Sequence, residues 1–151
     1  MSDDVIPQWD QLPEMPWKDK VAYLTYRFLQ LPQTECPVEH LFQGGWYYRT
    51  MRIPAGTLFI GRAHRLGHEV QLLAGAGELI MPDGKQRIEA PFAITTKPGH
   101  HVVFHALTHV LGRTVHPDID ERDIQRLEDL IFESVESLSA LGQTVHQRLL
   151  T

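Results

Sequence analysis

At 151 residues the chain suits one domain large enough to bury a core, and its 42% hydrophobic and 22% charged content excludes a disordered or fibrous protein. A net charge of −5 excludes the basic surface that general binding to nucleic acid or an anionic membrane requires, and the single Cys36 excludes an internal disulfide, which fits a reducing cytosol. Nine histidines are the unusual feature, because protonating all of them would take the formal charge from −5 to +4.

Met1 to Met15 is acidic and carries Pro7 and Pro13, which predicts an extended or frayed arm. No charged-then-apolar signal segment opens the chain, and no apolar run approaches the ~18 residues of a membrane span. A cytoplasmic protein is expected. Pro16 suits the first turn of a helix, and Trp17, Val21, Leu24 and Phe28 recur at four-three-four spacing, so a helix is predicted over about 16–30. Its aromatic-rich stripe reads as core packing on the main body, and Pro32 and Pro37 end it.

Gln43-Gly44-Gly45 is a turn, and Trp46 to Ile53 is rich in aromatic and β-branched residues, as strands are. Pro54-Ala-Gly56 turns the chain into a strand over 57–61, and further strands are predicted near 68–74, 77–81, 85–89, 92–96, 101–106 and 109–115. Pro82-Asp83-Gly84 is a hairpin signal. Short strands punctuated by Gly and Pro predict an all-β sandwich or barrel over residues 45–116, with residues 1–44 forming an arm and helix packed on it.

Pro117 ends the last strand, and Asp118 or Asp120 can cap a helix. Ile124, Leu127, Leu130, Ile131, Val135, Leu138, Leu141, Val145 and Leu149 form one apolar seam, predicting a long C-terminal helix over 117–151 that Gly142 could bend. About thirty helical residues would run ~45 Å, beyond the width of a small barrel. A homodimer through this helix is therefore expected.

The chemistry-bearing stretch is Gly56-Thr-Leu-Phe-Ile-Gly-Arg62-Ala-His64-Arg-Leu-Gly-His68-Glu-Val-Gln-Leu-Leu-Ala-Gly75. On one straight strand His64 and His68 would stand ~13 Å apart. They converge only if Arg65-Leu66-Gly67 turns, and Gly67 is the residue type that enters positive φ freely. Imidazoles suit zinc, iron, copper or nickel, whereas Arg62 repels a cation. The trio reads either as a metal site or as an anion site with Arg62 as the fork. If a metal binds, its affinity should fall below about pH 6, where imidazoles protonate.

This stretch resembles the first motif of cupins: Gly, five residues, His-x-His, a few residues, Glu, six residues, Gly. Gly56 and Gly75 hold the glycine positions, His64 the second His, Arg62 the first, and His68 the Glu. The second motif resembles Lys97-Pro98-Gly99-His100-His101-Val102, with Val102 where a His stands and Ala106 where an Asn stands. A one-residue shift would bring His101 inward, and His105 onto the same face. The resemblance implies a cupin jelly-roll barrel.

Cys36-Pro-Val-Glu-His40, Gly45 to Thr57, Gly61 to His68, Ala90 to Gly99 and Arg113-Thr-Val-His116 are further similar to a group of small cupin-like proteins encoded by tailed bacteriophages and prophages. Those relatives commonly carry His-x-His at Arg62-Ala-His64 and end the last strand with a His, here His116. The candidate metal ligands are thus His64, His68, His116 and His101, and the candidate ligand cavity is Arg62, His64 and His68. No catalytic residue is assigned. His100, His109 and His146 read as surface residues, Glu69 and Glu78 as solvated strand-end charges, and Cys36 as a structural thiol. Two functions are open. One is a phage-type module binding a small molecule or a protein, with no metal. The other is an enzyme using one divalent transition metal on His64, His68 and a later His.

Overall fold

The computed structural model describes residues 6–151, so the first five residues of the expected arm lie outside it. Two compact units are present, one running from Thr34 to Glu133, the other made of the segment through Gln33 together with Ser134–Thr151.

The first unit holds nine strands: β1 (Val38–Gln43), β2 (Trp46–Ile53), β3 (Leu58–Ile60), β4 (Glu69–Ala74), β5 (Ala76–Met81), β6 (Gly84–Glu89), β7 (Phe92–Thr95), β8 (Val103–Ala106) and β9 (Val110–Pro117). One sheet is ordered β1-β2-β9-β4-β7 and the other β3-β8-β5-β6, and every pairing is antiparallel. Without β1, the two four-strand orders are those of two interleaved Greek keys, the double-sheet jelly roll of cupins. Alternate positions of facing strands supply the core, Ile53, Leu72, Leu79, Ile88, Phe104, Ala106 and Val110. Gly56 and Gly75 both take positive φ, 85° and 91°, which explains why glycine stands at each.

β1 was not expected, since its residues are mostly exposed and follow Pro37 directly. Trp46↔Pro117 opens the β2–β9 register, and Pro117 is the last residue of the strand it was expected to end. Residues 101 and 102, expected in a strand, precede β8.

The long C-terminal helix is instead two. α2 (Ile124–Ile131) is capped by Asp123, whose Oδ1 accepts from the Arg126 amide at 3.1 Å. Asp118 is occupied differently, accepting two bonds from Arg122 at 2.8 Å each, and Asp120 takes a φ of 66°. The helix stops because Phe132 turns extended (φ −107°, ψ 150°) and bridges to His64. The amide of Arg65 donates to Ile131 and that of Glu133 to Ala63, at 2.9 and 2.8 Å. Ser134 then caps a new helix in the second unit, accepting from the Ser137 amide at 3.3 Å.

In that second unit, α1 (Trp17–Phe28) packs against α3 (Val135–Leu150). Val21, Ala22, Tyr23 and Leu24 are fully buried, and Leu138, Gly142 and Val145 are buried on α3. Gly142 lies inside α3 without breaking it. The seam expected as one continuous face is therefore interrupted at Phe132–Ser134, and its second half is met by α1 of the same chain. His146, expected at the surface, is buried, with ring centres 5.8 Å from Tyr23 and 5.7 Å from Tyr26.

Candidate functional site: a histidine trio beside an arginine-rimmed lumen

Residues 61–68 carry no regular strand, so Arg62 and His64 do not share a strand face. The chain bends at Arg65-Leu66, with Leu66 exposed. His64 is held from two sides, by its bridge to Phe132 and by the Gly99 amide, which donates to its carbonyl at 2.9 Å. The Thr96 amide donates to the His68 carbonyl at 2.8 Å. Gly67 does not take positive φ; glycine is needed there because a Cβ would meet the Thr96 carbonyl oxygen at 2.6 Å. His116 comes from β9, opposite Tyr47 of β2.

These elements bring three of the candidate ligands together. Ring centres are 3.3 Å apart for His64 and His68, 5.1 Å for His64 and His116, and 5.2 Å for His68 and His116. All three are buried. His68 Nδ1 meets the Thr96 hydroxyl at 2.8 Å, and His116 Nε2 meets the Thr114 hydroxyl at 2.9 Å. Both ring nitrogens of His64 and Nε2 of His68 are buried with no hydrogen-bond partner.

Burial, which penalises the charged form, lowers all three ring pKa values. That of His64 falls to about 2, helped by His68, His116, Arg49 and Arg62. His116 falls to about 3, with His68 and Arg49 adding to burial. His68 falls to about 4, the Leu66 backbone opposing and His100 assisting. The trio is neutral at physiological pH.

The other candidates are engaged elsewhere. His101 is buried, with Nδ1 2.9 Å from the Gly61 carbonyl. His105 pairs with Glu78 at 3.2 Å on neighbouring strands, so Glu78 is partnered rather than merely solvated. His100, expected at the surface, is half-buried and close enough to depress His68. His109 is exposed. Cys36 packs at the edge of the core, and burial raises its pKa.

Beside the trio the barrel holds a partly open cavity of about 250 Å³. Met51, Ile53, Phe59, Leu72 and Phe104 are among its many apolar walls, and Arg49, Arg62, His64, Glu128 and Phe132 line its polar end. His68 and His116 are not among the lining residues. The Arg49 and Arg62 guanidiniums lie 4.7 and 4.9 Å from the centre of the Phe132 ring. His64 meets the same ring edge-on at 4.6 Å.

Arg49 escaped the sequence reading, although a signal was present. Period two along β2 places Arg49 with Tyr47, Met51 and Ile53, an arginine in an otherwise apolar inward row. Glu128 and Phe132 were invisible because they depend on where α2 ends.

Among the described residues, no group of three or more His, Cys, Asp or Glu side chains is arranged to hold a metal ion. The donor chemistry suits one, since neutral imidazoles with unpartnered nitrogens are what transition metals take. The arrangement does not. Two imidazoles sharing one ion at ~2.1 Å hold their ring centres about 5 Å apart, whereas His64 and His68 are stacked at 3.3 Å.

The sheet order and the lumen between the sheets define a small jelly-roll barrel with charged groups at the lumen's edge. No family model and no curated protein matches the chain. Among solved structures it is similar to a cupin domain of an XRE-family transcriptional regulator from Enterobacter cloacae, at 12% identity and TM-score 0.46 over 56% of this chain and 100% of that one. It is also similar to ectoine synthase from P. lautus, at 19% identity and TM-score 0.47 over 56% of this chain and 65% of that one. Salicylate 1,2-dioxygenase from Pseudoaminobacter salicylatoxidans is similar at 16% identity and TM-score 0.49, over 76% of this chain and 34% of that one. A jelly-roll fold does not by itself choose a function.

Proposed function

We propose that the chain is a ligand-binding jelly roll that takes a small, largely apolar molecule into its lumen. The observation that carries this is the cavity of about 250 Å³, lined mostly by core side chains with a few charged ones grouped together. Small-molecule sites are typically apolar concavities with a few convergent polar groups. The experiment is a titration with an environment-sensitive apolar dye, using the unaltered chain and Gly112→Leu. Gly112 lines the lumen, and a Cβ there would approach no atom closer than 3.8 Å, so a side chain can start from this position toward the cavity without its Cβ striking the backbone. One dye per chain is expected, with binding lost in Gly112→Leu while circular dichroism is unchanged. Equal dye binding by both proteins would place the dye outside the lumen and reject the reading.

A second reading rests on the unpartnered nitrogens of His64 and His68. In it His64, His68 and His116 hold one divalent transition metal after His64 and His68 rotate apart. Such an ion would supply Lewis acidity beside the lumen. With ring pKa values of about 2 to 4, protons would compete with the metal near pH 4 and below, rather than at the pH 6 of a free imidazole. Calorimetry with zinc, nickel, iron, copper and manganese at about pH 7.5 tests it. Heat that disappears on replacing His64 and His68 together by Ala supports the metal; no heat with any ion rejects it.

A further inference from the structure

We propose that the lumen's ligand is an apolar carboxylate, bound tail-inward with its head between Arg49 and Arg62, and that Glu128 of α2 holds that head position when no ligand is present. This rests on the lumen reading above and specifies its chemistry.

Two guanidiniums converge at one end of a mostly apolar cavity, whose lining also includes Gln71, Arg113 and Thr114. Arg49 Nη2 and Arg62 Nη1 each stand 3.9 Å from the same oxygen, Glu128 Oε2. Two positive charges thus face one negative charge, leaving an excess of one at the rim. The 3.9 Å separation is about an ångström longer than the ~2.8 Å of a direct charge-assisted bond. Glu128 therefore offsets one of the two charges without satisfying the donors that face it. The Nε atoms of both arginines are buried with no hydrogen-bond partner. Such donors carry a desolvation cost that a second carboxylate, free to approach, would recover.

The surroundings fix the pair in place. The Phe132 ring lies under both guanidiniums, and Arg62 Nη2 donates to the Glu133 carbonyl at 3.1 Å. Arg49 stands on β2 two residues from the fully buried Tyr47. A planar fork held in this way suits a carboxylate, and Glu128 shows that a carboxylate fits between the two. A tail running from that head has only the apolar lumen to enter.

The experiment is displacement of the dye from the unaltered chain by octanoate, octanol and octylamine, which share a tail and differ in the head. Octanoate is expected to compete about ten-fold or more better than octanol, the effect of a charge-assisted bond, and octylamine worst. Arg62→Gln and Arg49→Gln should each reduce that preference. Glu128→Gln, nearly isosteric, removes the internal competitor and should raise octanoate affinity several-fold while leaving octanol unchanged. If octanol and octanoate compete equally, the lumen reading stands and the carboxylate assignment falls. If Glu128→Gln weakens octanoate, Glu128 is no stand-in for the ligand head. If the dye binds but neither eight-carbon compound displaces it, the lumen takes another class of molecule and the inference is overturned.

Discussion

His64 and His68 place their imidazoles face to face, 3.3 Å between ring centres and 27° between planes, with only three residues between them in the chain. Two cations cannot share that geometry, and burial already disfavours one. The contact is therefore available to the neutral forms alone. That ties the packing of this end of the barrel to pH.

The folded pKa values of His64, His116 and His68, about 2, 3 and 4, all lie below the ~6.5 of an unfolded histidine. Between those values the unfolded chain binds protons that the folded chain refuses. Stability from the trio is thus complete above pH ~6.5 and is lost as pH falls toward 4, at ~1.4 kcal/mol per pH unit for each histidine while it titrates. A falling Tm between pH 7.5 and 4.5 is expected, shallower in His116→Phe, which removes one titrating group. A Tm that holds constant across that interval would show that the trio is solvated.

The jelly roll was legible because its strands alternate and its turns use Pro and Gly, and because two glycines at fixed spacing both occupy positive φ. The convergence of His64 and His68 was legible too, since only a turn lets residues four apart meet. Its reason was not. Gly67 is required by the nearness of Thr96, distant in sequence, rather than by its own φ. The rim was hidden for a related cause. A helical seam read from one strip of sequence does not reveal that Phe132 leaves the helix to bridge His64, and that bridge is what carries Glu128 to Arg49 and Arg62.

Gly67→Ala tests the close approach directly. The new methyl would lie 2.6 Å from the Thr96 carbonyl oxygen, a backbone atom that cannot step aside alone. Overpacking of this kind costs about 1–3 kcal/mol. Urea unfolding should report a loss in that range, and the Thr96–His68 hydrogen bonds should be the first to exchange. A change under ~0.5 kcal/mol, the range of an ordinary surface substitution, would mean that the two segments are not in contact.

Thr96→Val removes a hydroxyl and nothing else of size. It leaves His68 Nδ1, now 2.8 Å from the Thr96 hydroxyl, buried without a partner. Orphaning such a group costs about 1–3 kcal/mol, whereas Thr96→Ser keeps the bond and gives up only a methyl. The valine variant should therefore be the less stable of the two. The opposite order in denaturant midpoints would assign Thr96 to packing and leave His68 oriented by something else.

Gly142→Ala sets two effects of opposite sign against each other in the helical unit. Alanine in a helix interior is favoured over glycine by ~1 kcal/mol, so an open site would be stabilised. Here, however, the added Cβ would run into the Ala22 carbonyl and crowd the Tyr26 Cβ on α1. Neither is the loose end of a flexible side chain, so α1 and α3 must move apart and uncover Ala22, Tyr23 and Val145, all buried now. Crowding of that kind costs about 1–3 kcal/mol, occasionally more, and should outweigh the propensity gain. Net destabilisation on the order of 1 kcal/mol is expected in urea unfolding of the full chain, with loss of helical ellipticity before loss of the barrel's aromatic signal. A variant more stable than the parent would show that the two helices do not approach at Gly142.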